Sequence, residues 1–118
     1  MMNVSEWLRD LHQAVSDRIY LNRLEILDQS ATLIKARLYI SPDLFVQVYR
    51  NDRFDTTNMV LIYNQQRLYA RDQLNGMWHR HPMNAPHIHD TSLTGQQSTS
   101  LAQFLDEVEA VMAAMDLP

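Results

Sequence analysis

Apolar residues recur every three or four positions at Trp7, Leu8, Leu11 and Val15, which places one hydrophobic stripe on a helix spanning about residues 4 to 17. Asn3 or Ser5 can cap its free amide groups, and Glu6 stands at the capping-box position for Asn3. From Arg18 to Asp72 the period shortens to two. Thr32, Ile34, Ala36, Leu38 and Ile40 alternate with Lys35, Arg37 and Tyr39, the pattern of a strand with one buried face. Ile19 to Leu27, Leu44 to Tyr49, Asn58 to Tyr63 and Arg67 to Arg71 predict four more strands, separated by Asp28-Gln29-Ser30, Ser41-Pro42-Asp43, a polar loop from Arg50 to Asp55, and a hairpin at Asn64-Gln65-Gln66. Residues 72 to 99 show no sustained period and are expected to form a long functional loop. Ser100 and Gln103 then make a capping box before Leu101, Phe104, Leu105, Val108, Val111, Met112 and Met115, the apolar stripe of a helix of about four turns.

Short connections between successive strands favour an antiparallel meander, and a sheet with one apolar face needs a cover. The two terminal helices are the available cover. The expected architecture is an α+β domain over residues 1 to 118: helix, about five antiparallel strands, helix, with both helices on one face.

Composition narrows the chemistry. The chain has 118 residues, no cysteine and two glycines, so disulfides, thiolate catalysis and cysteine-ligated zinc are excluded. No apolar run approaches the ~20 residues of a membrane helix, and Met1 to Asp17 lacks the layout of a signal peptide, so a soluble, cytoplasmic chain is expected. The net charge of −4 argues against binding nucleic acid through bulk electrostatics. All ten basic residues precede His81, and residues 81 to 118 carry five acidic ones. Nine of the ten are arginines, whose planar fork suits phosphate or carboxylate oxygens, so a local arginine-lined groove competes with the simpler expectation of surface ion pairs and strand-edge placement.

Four of the five histidines lie in Trp78-His79-Arg80-His81-Pro82-Met83-Asn84-Ala85-Pro86-His87-Ile88-His89-Asp90. Pro82 and Pro86 disfavour helix there, so each His-x-His pair is expected on extended backbone, with both imidazoles on one side. Three outcomes are open. The pairs can join Asp90 in holding Zn²⁺, Ni²⁺ or Fe²⁺. They can instead cleave RNA without a cofactor, which needs a base for the 2′-hydroxyl proton, an acid for the leaving oxygen and a cation for the phosphorane charge. His79, His81, His87, His89 and Arg80 supply those groups, with Tyr63, Tyr69 and Arg71 on nearby strands in support and Trp78 to stack on an unpaired base. Or the histidines are loop residues capping strand ends, as His12 is expected to be structural on its helix. Met59, Met112 and Met115 are expected to fill core gaps, and Asp52 and Asp55 to be solvated loop charges.

The order of parts resembles the TumE family of small prokaryotic toxin proteins, partners of helix-turn-helix antitoxins. The resemblance is carried by Trp78-His79-Arg80-His81-Pro82, by Ala85-Pro86-His87-Ile88-His89, and by Thr99-Ser100-Leu101 through Val108. It implies a toxin restrained by a cognate antitoxin protein, with action on RNA. A non-catalytic alternative is a module that docks a partner through the acidic carboxy-terminal helix or an open sheet edge.

Overall fold

The structure is a computed structural model that describes residues 3–82, 92 and 95–117. It contains α1 (Val4–Asp17), β1 (Arg23–Gln29), β2 (Leu33–Ser41), β3 (Leu44–Asn51), β4 (Thr56–Tyr63), β5 (Gln66–Leu74), β6 (Met77–His81) and α2 (Leu101–Ala114). The six strands lie in sequence order in one antiparallel sheet. Helix α1 packs on β1 and β2, helix α2 on β4 and β5, and the two helices touch each other. The α+β meander with a helix at each end is as expected, with six strands in place of five. Among the described residues no helix is long and apolar enough to cross a membrane.

Both helices begin with the capping boxes read from the sequence. Asn3 Oδ1 accepts from the Glu6 amide at 2.9 Å, and Ser100 Oγ accepts from the Gln103 amide at 3.1 Å. Period-two alternation then sorts the sheet's side chains. Ile34, Ala36, Leu38, Leu44, Val46, Val48, Met59 and Leu61 point to the helices and are fully buried against Leu11, Phe104, Leu105 and Val108. Met112 joins this core, whereas Met115 is 39% exposed.

Two boundaries differ from the sequence pattern. Ile19 lies outside any strand and is 99% exposed: the Arg18 amide still bonds to Ala14 of α1, and the Leu21 amide bonds to Arg18. The first strand therefore opens at Arg23. At the other end, the stretch expected to be a loop from residue 72 contains the end of β5 and all of β6. Asn75 and Gly76, both with positive φ, join Leu74 to Met77 as a two-residue hairpin turn. That backbone matches the right-handed twist of the flanking strands, and Asn-Gly is its preferred sequence. A Cβ at Gly76 would stand 3.0 Å from the Asp55 carboxylate.

Candidate functional site

The Asn75-Gly76 turn sets the register of β6. Asp72 pairs with His79, Gln73 with Trp78, Arg71 with Arg80 and Ala70 with His81. Because successive side chains alternate, Trp78 and Arg80 go to the helix side, and His79 and His81 go to the opposite side. The first His-x-His pair therefore shares one face, on extended backbone, as expected.

On that side, which neither described helix covers, His81, only 3% exposed, lies with Nε2 2.9 Å from Oδ2 of Asp72. The other carboxylate oxygen accepts from Nδ2 of Asn58 on β4. Half-buried His79 stands across the strand pair from Asp72, at the spacing where directly opposed side chains interact. Asn58, Asp72, His79 and His81 thus gather on three adjacent strands. The same side of β1 to β3 carries arginines laid on aromatic rings: Arg23 over Tyr39 at 4.3 Å and Arg37 over Phe45 at 4.6 Å. Arg37 also donates to Gln47 and to the hydroxyl of Tyr39, which in turn donates to Glu25. An open hollow of about 450 Å³ lies beside Arg37, Phe45 and Ile62.

The helix side holds a different set of charges. Arg71, 2% exposed, grips Glu107 of α2 with both Nε and Nη2, at 3.0 and 2.7 Å, while the hydroxyl of Tyr69 donates to the same carboxylate at 2.8 Å. Arg50, equally buried, bonds Asp52 at 2.9 Å and Thr57 at 3.0 Å. It also lies 3.1 Å from Asp55, an ion pair not aligned for a hydrogen bond. Asp52 and Asp55 are therefore counter-ions of a buried guanidinium rather than solvated loop charges. Likewise Arg50 and Arg71 are interior residues, which the expectation of surface ion pairs missed. Arg18 does fit that expectation, reaching Asp106 and Glu109 from the end of α1.

Burial first, then the hydrogen bond and charge of Glu107, push the Tyr69 phenol up to about 12, against the opposing effect of Arg71. Tyr20, part-buried and donating to Glu109, is raised for the same reasons. Between the ordinary value of 10.0 and these raised values the folded chain keeps protons that the unfolded chain has lost. Stability is then expected to be fully present below pH 10 and to fall as pH rises towards 12. Urea titrations across that window should show the loss, and a Tyr20→Phe, Tyr69→Phe double variant should show less of it.

The residues singled out from the sequence divide accordingly. His79 and His81 come together, joined by Asp72 and Asn58. Trp78, Arg80, Arg71, Tyr69 and Tyr63 lie on the helix side, where Trp78 and Tyr63 pack against the core. His87 and His89 lie outside the described residues, as does Asp90. Among the described residues no three His, Asp or Glu side chains are grouped to hold a metal ion. His12 is exposed on α1. No local pattern marks Asn58, and the one signal for Asp72 is the Asn75-Gly76 turn. A two-residue loop at 75 and 76 places residue 72 against residue 79 by counting alone.

Comparison with protein-family models, with curated protein sequences and with solved structures finds no match for this chain.

Proposed function

We propose that the chain acts on RNA as the toxin member of a toxin-antitoxin pair, cleaving the strand without a metal on the side of the sheet away from the two described helices. The observation that carries this is the placing of His79 and His81 on one face with a carboxylate bound to one of them. His79, half-buried at the edge strand, is the imidazole that meets the substrate: it takes the proton of the 2′-hydroxyl as that oxygen bonds to phosphorus, and gives it to the 5′-oxygen as the P–O5′ bond breaks. Asp72 is its cross-strand neighbour, and Asn58 and His81 hold that carboxylate in place. Arg23 and Arg37, already laid on aromatic rings, offer a cationic and stackable track for a single strand across β1 to β3. Adjacent strands lie about 4.8 Å apart, so β2 and β6 are separated by roughly 19 Å, a span of a few nucleotides.

The test is incubation of the purified chain with end-labelled single-stranded RNA in the presence of a chelator, alongside induced expression in a bacterial host. Cleavage leaving 2′,3′-cyclic phosphate ends, together with growth arrest, is the expected result. Cleavage that appears only when metal is restored would replace this mechanism with the metal-dependent one, in which His87, His89 and Asp90 join the first pair. Neither cleavage nor arrest would remove the nuclease assignment.

One observation favours a docking surface as well. Among the described residues strand β1 is an edge strand, and it exposes Ile26 and Leu27 at 36% and 40%, the kind of edge to which a partner adds a strand. The acidic face of α2 is less suited to docking, because Asp106, Glu107 and Glu109 already pair with Arg18, Tyr20, Tyr69 and Arg71 of the same chain. An antitoxin seated on β1 would leave the histidine edge at β6 on the far side of the sheet.

A further inference from the structure

Behind the edge strand, on the helix side, lies a cavity of about 320 Å³ between the start of α2 and the ends of β3 to β6. That is the lower end of the ~300–1,000 Å³ typical of small-ligand sites. Both tryptophans of the chain, Trp7 and Trp78, line it, with Thr57, Gln73 and Gln103.

The hydrogen-bonding character of this wall follows from Arg50. Its Nη1 donates to Oε1 of Gln73 at 3.2 Å, and the Thr57 hydroxyl donates to the same oxygen at 3.0 Å. A guanidinium has no acceptor, so this contact fixes which end of the Gln73 amide faces it. The amide nitrogen is thereby turned away. Gln73 is 8% exposed, yet that nitrogen donates to no described residue. Gln103 repeats the arrangement: its Oε1 accepts from the Ser100 amide at 2.9 Å, leaving Nε2 as a donor. The indole N–H groups of Trp7, itself 5% exposed, and of Trp78 also donate to no described residue. The cavity is thus lined by two tryptophans and by N–H groups that donate to no described residue.

Such a lining suits a flat ligand that presents oxygen acceptors on its edge. Unpaired nucleobases are read by stacking on aromatic side chains and by hydrogen bonds to their edges. Among them uracil and guanine carry a carbonyl where cytosine and adenine carry an amino group. We infer that this cavity receives an unpaired oxo-base, uracil or guanine, of a single strand that crosses the β6 edge. The inference rests on the proposed action on RNA, and it adds base preference to it. Trp78 and His79 are consecutive on the edge strand and point to opposite faces, so one nucleotide can seat its base behind the edge while the neighbouring backbone passes the histidines in front.

Intrinsic tryptophan fluorescence reports on the site directly, since the chain has two tryptophans and both line it. The probes are 2′-O-methyl oligouridylate and oligoadenylate, which bind without being cleaved, and free uridine. The expected result is quenching by the uridine oligomer at concentrations at least tenfold below those needed for the adenosine oligomer or for uridine alone. Gln73→Glu keeps the oxygen that Arg50 and Thr57 use and replaces the donor with an acceptor, so the uridine preference should fall by at least tenfold. Gln103→Glu makes the same exchange at an exposed position while preserving the capping box, and serves if Gln73→Glu does not fold. Equal affinity for uridine and its oligomer would assign the cavity to a free nucleoside and overturn the strand inference. No quenching, or no preference between the two oligomers, would overturn the base inference. Cleavage of unmodified RNA is scored separately. Base-selective quenching without cleavage would retain the base site and remove the nuclease assignment, and cleavage without quenching would do the reverse.

Discussion

Replacing Glu107 with leucine is expected to cost about 3 kcal/mol of stability, because it strips the counter-ion from a guanidinium that the fold has sealed. Removing one partner of a buried ion pair costs ~3–5 kcal/mol. The lower end applies here, since Arg71 is 2% exposed but the Glu107 side chain is 31% exposed. For a domain of this size that corresponds to a fall in Tm of roughly 10 °C. Tyr69 loses its acceptor in the same substitution and adds to the loss. Asp106→Ala provides the contrast: its carboxylate is 71% exposed in its pair with Arg18, and exposed pairs are worth at most ~1 kcal/mol. Replacing both Arg71 and Glu107 with apolar residues should recover much of the single-variant loss, because no bare charge then remains inside. Urea denaturation of the three variants decides the matter. A Glu107→Leu chain within 1 kcal/mol of the parent would show that Arg71 finds other compensation.

His79→Ala is expected to lower RNA cleavage by about 10²- to 10⁴-fold, the ordinary contribution of one positioned acid or base. Asp72→Asn should act through position and charge rather than through direct contact with substrate. An asparagine retains the shape and one oxygen for Asn58, but it removes the negative charge across from His79 and its amide group faces Nε2 of His81. The rate should therefore fall, and by less than for His79→Ala. Circular dichroism of both variants establishes that the fold survives. Tyr69→Phe, on the other side of the sheet, should leave the rate per folded molecule unchanged. If His79→Ala cleaves like the parent, the histidine face of the sheet is not the site of the chemistry.

Most of the fold could be read from periodicity. A period of two over β2 to β4 and a period near 3.6 over both helices are local properties of the backbone, and each capping box is complete within four residues. Strand β6 was hidden for a physical reason. Met77, Trp78, His79, Arg80 and His81 lie at a sheet edge and mix polar with aromatic groups on both faces, so no apolar alternation marks them. Ile19 misled in the opposite way, because an apolar residue in a turn has the same composition signal as one in a strand. Arg50 and Arg71 continue the inward positions of their strands, at 44, 46, 48, 50 and at 69, 71, 73. The period already points them at the helices, but charge argued for the surface.

By itself the sequence determined the kinds of elements, their order and the face that each strand position takes, since these depend on neighbours within a few residues. Tertiary structure alone decided which groups meet. Glu107 reaches Arg71 across 36 positions, Asn58 reaches Asp72 across 14, and Trp7 and Trp78 line one cavity from positions 7 and 78 of the chain. Those meetings depend on strand register and on where the helices dock, which are products of the whole packed core. The histidine pair shows both parts of this: extended backbone put His79 and His81 on one side, and the packing of β4, β5 and β6 supplied the carboxylate beside them.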